Sequence, residues 1–249
     1  MAEAAARNAD SMTPRETCAA PGQRQQASDA RPIHLPPLYA ILDVDCLLQQ
    51  LQGAGAKHVS AEDELHSAVI DFARQLHAGG VRWLQYRAKR LPTRSALAHA
   101  SALRQTFPEL TLIMNDRADL CLAADLDGVH VGQDDLWPEA VRGLIGRRIV
   151  GVSTHNPEQV AEASASPADY VAIGPVFATG SKLNPDPVIG LEGVRRARQL
   201  TAKPLVAIGG ITLANCRQVR EAGADSVAII SALMNSPRES AADFLRILA

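Results

Sequence analysis

The feature that most constrains this chain is an alternation. From Leu38 onward, eight short runs rich in β-branched and apolar residues are separated by stretches with helical periodicity. The runs are 38–42, 81–86, 111–114, 128–131, 148–152, 170–173, 205–208 and 226–230. Between them, Leu65, Ala68, Val69, Phe72 and Leu76 recur at three- and four-residue spacing over 64–76, and Cys216, Val219 and Ala222 do the same over 214–222. Parallel strands need a crossover, usually a helix, so this alternation builds a parallel sheet covered by helices. Eight such units predict an α/β fold, a single TIM (β/α)8 barrel over residues 36–249. The competing topology is an open doubly wound sheet. That sheet normally carries a glycine-rich dinucleotide turn after its first strand, and 43–59 holds none. In the long segment 44–59, Leu47, Leu48 and Leu51 suggest a short extra helix. Segments 77–81, 123–129 and 221–227 repeat one pattern, a helix end and a small-residue turn leading into a buried strand.

Composition narrows the function. A net charge of −2 gives no global basic field for nucleic acid, and 4% aromatic residues leave little for stacking bases. No apolar run is long enough to span a bilayer. Cys18, Cys46, Cys121 and Cys216 lie far apart with no metal-ligand spacing, as reduced cysteines of a cytoplasmic protein do. Residues 1–35 read as a disordered N-terminal extension. Over 1–31 there is no hydrophobic periodicity and no apolar signal core, and Glu3, Asp10, Glu16 and Asp29 interleave with the arginines, unlike a transit peptide.

A barrel of this kind works at the C-terminal ends of its strands, so the residues there carry the argument. The second strand runs V-R-W-L-Q-Y-R-A-K over 81–89. Alternation puts Trp83, Gln85 and Arg87 on one face and Leu84 and Tyr86 on the other, with Lys89 following. An amide, a guanidinium and an ammonium in that order form a grip for an anion, although a strand leaving the core into a basic loop reads the same way. Asp43 ends the first strand, Asn115-Asp116 the third, and Ser153-Thr154-His155 the fifth. The fourth runs into Gly132-Gln133-Asp134-Asp135. Asp116 and Asp135 close adjacent strands and suit Mg²⁺, which takes one or two carboxylates plus phosphate oxygens and water. Asp116 as a cap for the helix starting near Arg117 is the other reading, and Asp134 competes for the metal. Thr179, Ser181 and Lys182 sit in a Gly/Pro-punctuated loop after the sixth strand, and Gly209-Gly210 and Ile230-Ser231 take the usual phosphate position of the fold. Arg87, Lys89, Lys182 and a divalent ion, less the two aspartates, nearly neutralise the roughly three negative charges of a diphosphate ester. Two anion sites follow, a metal-assisted diphosphate site and a monophosphate site.

Seven motifs in order then resemble the thiamine-phosphate synthase family across 38–249: Q-Y-R-A-K (85–89), N-D-R-A-D-L (115–120), D-G-V-H-V-G-Q-D-D (127–135), G-V-S-T-H (151–155), G-P-V-F-A-T-G-S-K (174–182), A-I-G-G-I (207–211) and I-I-S-A (229–232). The resemblance implies a transferase that joins 4-amino-2-methyl-5-hydroxymethylpyrimidine diphosphate to a thiazole phosphate, giving thiamine monophosphate and diphosphate. It implies that Gln85, Tyr86, Arg87, Ala88, Lys89, Asn115, Ser153 and Lys182 hold the pyrimidine diphosphate. Asp116 and Asp135 would hold Mg²⁺, and Thr179, Gly180, Ser181, Gly210, Ile230 and Ser231 the thiazole phosphate. The implied mechanism is dissociative, with Arg87, Lys89 and Lys182 stabilising the leaving diphosphate. Ser181 stands where the family commonly has Thr and keeps the hydroxyl. The expected partners are these small molecules, without nucleic acid or membrane, and a homodimer is compatible. Two rivals are weighed: a sister barrel that isomerises the thiazole phosphate, with His130 or His155 as acid/base, and a non-catalytic phosphate sensor. For both histidines the plainer role is barrel packing or a turn.

Overall fold

A computed structural model describes residues 33–53, 62–179 and 186–249. The expected N-terminal extension therefore lies outside the described residues except for 33–35, as do Gly180, Ser181 and Lys182. Within that stretch, Leu35 and Ile33 pack against the cluster that fills the barrel.

The eight strands are β1 (Leu38–Asp43), β2 (Trp83–Arg87), β3 (Thr111–Asn115), β4 (Gly128–Val131), β5 (Ile149–Thr154), β6 (Tyr170–Ile173), β7 (Leu205–Ile208) and β8 (Ser226–Ile229). Each pairs in parallel with the next, and β1 with β8 closes the barrel. The helices are α1 (Val44–Gly53), α2 (Glu62–Ala78), α3 (Thr93–Thr106), α4 (Ala118–Ala123), α5 (Pro138–Ile145), α6 (Pro157–Ala165), α7 (Gly190–Leu200), α8 (Cys216–Glu221) and α9 (Pro237–Leu248), with a 3-10 turn at Ser231–Leu233. The first loop does carry a helix, α1, directly after β1. β5 runs two residues further than 148–152, so Ser153 and Thr154 are strand residues rather than the start of a loop.

Period-two alternation divides the core into two layers. Leu38, Ala40, Leu42, Leu84, Tyr86, Leu112, Met114, Val129 and Val131 face the helices. Tyr39, Ile41, Trp83, Ile113, Tyr170, Ala172, Val206 and Ala228 fill the interior. Each large apolar side chain so buried contributes about 1.5–3 kcal/mol.

The lower rim is stapled by one device used three times. Asp127, Asp169 and Asp225 directly precede β4, β6 and β8. Each accepts, at 2.7 Å, the main-chain N–H of a residue of the strand before, namely Leu112, Val150 and Leu205. Each also pairs with an arginine of the helix that precedes that strand, Arg104 of α3, Arg142 of α5 and Arg198 of α7. These staples lie at the N-terminal ends of the strands, opposite the rim where a barrel of this kind works. Among the described residues no helix is long and apolar enough to cross a membrane.

Candidate active site

A cavity of about 540 Å³ opens at the C-terminal ends of the strands. Gln85, Arg87, Lys89, Asn115, Asp116, Asp135, Ser153, Thr179, Gly210, Ile230 and Ser231 all line it. The structure thus brings to one mouth every described site residue expected from the sequence except Tyr86 and Ala88. The Tyr86 side chain lies in the outer layer, its hydroxyl 2.9 Å from His99 Nδ1, and Ala88 packs against the same outer core. The Q-Y-R-A-K motif alternates faces, so only its main chain at these two positions is left to meet a ligand.

The acidic residues converge. The Asp116 and Asp135 carboxyls lie close enough to act on each other, Lys89 Nζ lies 2.9 Å from Asp116 Oδ2, and Asp135 Oδ2 accepts the Gly132 N–H at 2.7 Å. Burial, and then the Asp116 carboxylate, push the Asp135 carboxyl above the usual range, against the pull of the Gly132 N–H and Lys89. Asp116 does not cap the next helix. Arg117 occupies that position with no side-chain cap, and Asp116 adopts a left-handed φ of 63° while its N–H bonds the His130 carbonyl at 2.8 Å. An uncommon backbone region for Asp is held here by the strand beside it. Among the described residues no group of three or more His, Cys, Asp or Glu could cage a metal. Two hard carboxylates that repel one another nevertheless fit a magnesium ion that completes its shell from phosphate and water.

Arg87 corrects the charge balance read from the sequence. It is ion-paired with Asp43, directly opposite it in the β1–β2 register and 1% exposed. Asp43 Oδ1 also accepts the Cys46 N–H at 3.1 Å. The mouth therefore carries one positive charge fewer than the sequence tally. Spacing shows which strand face Asp43 occupies but not the cross-strand register that brings it to Arg87.

After β7, Gly209 and Gly210 take positive φ of 101° and 62°, where a Cβ on Gly210 would lie 2.5 Å from the Ala178 carbonyl oxygen. The loop after β6 thus lies directly on this glycine turn, and Thr179 lines the mouth beside it. Ile230 and Ser231 open the 3-10 turn on the neighbouring strand.

Both histidines nominated for the isomerising rival are engaged. His155 Nδ1 lies 2.6 Å from the Gly174 carbonyl, with Nε2 3.5 Å from Asp186, and so ties together the two ends of the loop after β6. His130 stands between Tyr170 and Ser153. Tyr39 and Tyr170 were not singled out from the sequence; as aromatic residues in apolar runs they carried only a packing signal.

The class defined by this fold and site is a (β/α)8 barrel with a mouth built for anionic small molecules. The family described as thiamine monophosphate synthase matches residues 58–233. A thiamine-phosphate synthase of Koribacter versatilis is 53% identical over 218 residues, covering 87% of this chain and 97% of that protein. One of Chloroflexus aurantiacus is 44% identical over 179 residues, covering 71% of this chain and 82% of that protein. The solved thiamine phosphate pyrophosphorylase of Pyrococcus furiosus superposes with a TM-score of 0.70 at 32% identity, covering 85% of this chain and 94% of that one. The chain belongs to the thiamine monophosphate synthase family and is an enzyme, a transferase.

Proposed function

We propose that the chain joins 4-amino-2-methyl-5-hydroxymethylpyrimidine diphosphate to thiazole phosphate, in the cytoplasm, releasing diphosphate. The observation that carries this reading is the Asp116–Asp135 carboxyl pair, contacted by Lys89 and standing in the same mouth as Arg87. Asp116 and Asp135 would hold Mg²⁺, which when bound supplies positive charge to the diphosphate oxygens. Arg87 and Lys89 bind the same diphosphate, with Lys182 from the loop after β6, and stabilise the charge that grows as the carbon–oxygen bond breaks. Arg87 is pre-aimed by Asp43, so little side-chain freedom is lost when the anion arrives. Gln85 and Ser153 address the pyrimidine ring. Thr179, Gly180, Ser181, Gly210, Ile230 and Ser231 hold the thiazole phosphate and align its ring nitrogen with the departing carbon. The loop after β6 keeps water from the carbocation. No protein nucleophile is needed.

Incubation with both heterocycles and Mg²⁺ tests the reading. Thiamine monophosphate and diphosphate forming one for one supports it; diphosphate release without coupling, or no product, refutes it.

A further inference from the structure

Seven large apolar side chains are exposed among the described residues, and four of them gather on one sector of the outer wall, around the seam between α4 and α5. Trp137 is 60% exposed, Leu144 56%, Leu136 50% and Leu122 40%. Helix geometry shows why the core leaves them out. At roughly 100° per residue, Pro138, Val141 and Ile145 share the face of α5 that packs inward. Arg142 falls to one side of that face and pairs with Asp169 at the foot of β6. Trp137, Ala140 and Leu144 fall to the other side, toward α4, which packs against α5. Leu122 is exposed near the end of α4, where Arg148, just past α5, reaches Asp125 at 2.7 Å. The apolar arc of α5 is therefore wider than the barrel covers.

Gly143 is a separate sign on the same helix. Glycine weakens a helix interior, and a Cβ on Gly143 would meet nothing within 4 Å. Nothing inside the chain requires glycine there; close approach by a second helix does. The charges say which helix. The mouth end of the seam carries exposed Asp134 and Glu139 and the foot carries exposed Arg147, with no ion pair to any of the three among the described residues. A surface that is acidic at one end and basic at the other complements itself when a second copy lies antiparallel across it.

We infer that the α4–α5 seam is the interface of a two-fold symmetric dimer of this chain. An axis crossing α5 near Gly143 brings Leu144 of each copy over Ala140 of the other. It also sets each Trp137 ring beside the other copy's Arg147, a favourable cation–π pairing. The four exposed apolar side chains present roughly 400 Å², about half of the ~800 Å² that each partner gives to a stable interface and close to the share its apolar part takes. Leu136 and Trp137 follow Asp135 in the chain, yet neither lines the mouth, so the contact borders the site without entering it.

Sedimentation of the full-length protein at micromolar concentration tests this. Wild type is expected to run at twice the chain mass. Leu144→Glu places an unpaired carboxylate in the interface and is expected to raise the dimer dissociation constant by about 100-fold or more. Gly143→Gln adds bulk where the single chain has open space, so the fold is kept, and is expected to raise that constant by about tenfold or more. Leu200→Glu, at an exposed leucine ending α7, is expected to leave it unchanged. A wild type that runs at the mass of one chain, or a dimer that both Leu144→Glu and Gly143→Gln leave intact, overturns the inference. If Leu144→Glu does not fold, Gly143→Gln decides. Mass is read without turnover, so a protein that dimerises through this seam but makes no thiamine phosphate refutes the proposed function and not the dimer.

Discussion

Asp43 illustrates how a residue outside the ligand set prepares one inside it. It is buried, it accepts the Cys46 N–H in the first turn of α1, and it holds Arg87 in place. Replacing it by Asn keeps an acceptor for Cys46 but leaves Arg87 without its counter-charge. Breaking a buried pair in this way costs about 3 kcal/mol. Asp43→Asn is therefore expected to lower the urea midpoint with no change in slope, and an unchanged midpoint would mean that solvent already screens the pair. His99 is a second buried polar residue with a measurable signature. Burial, then the charge of His66, lowers its pKa to about 4, below the free value of about 6.5. In that window the unfolded chain binds a proton that the native one does not, so stability is full above about 6.5 and falls as pH drops toward about 4. His99→Gln keeps an acceptor for the Tyr86 hydroxyl and cannot titrate. Its melting temperature is expected to fall less steeply with acid, and a parallel curve would remove His99 from the account.

At the scale of elements, the two rims divide the labour. The Asp127, Asp169 and Asp225 staples tie strand starts to helices at the lower rim, remote from the mouth. Asp169→Ala removes the Arg142 partner and leaves the buried Val150 N–H unpaired, a loss of about 2–3 kcal/mol. The expected result is a lower melting temperature with kcat within experimental error of wild type at a temperature where both are folded. A drop in kcat would show that the rims are coupled. Much of this was legible in the sequence. Alternation in 81–87 gave the faces of β2 correctly, because period two is a geometric property of any strand. The triad of leucines after β1 gave α1. The limit came where register mattered. Which interior side chains meet across the barrel depends on stagger and tilt, so Asp43–Arg87 and the Tyr39–Tyr170–His130 contacts left no trace in the spacing. Tyr86 entered the binding set with its motif as a block, and the strand's alternation turns its side chain outward and leaves its main chain at the mouth.

For the whole molecule, the barrel closes through β1 and β8 with Ile33 and Leu35 packed against its interior. A chain starting at Ile33 is expected to retain wild-type kcat, measured by diphosphate release; a large loss would assign the preceding segment a part in catalysis. The mouth carries several charges of both signs in one small cavity, and the account ties them together by a divalent ion between Asp116 and Asp135. The most direct test is the rate of diphosphate release as a function of Mg²⁺ concentration, in wild type and in Asp135→Asn. The account predicts a saturable requirement in wild type and a variant slower by about 10²–10³-fold at limiting Mg²⁺. Superimposable curves for the two proteins would contradict it.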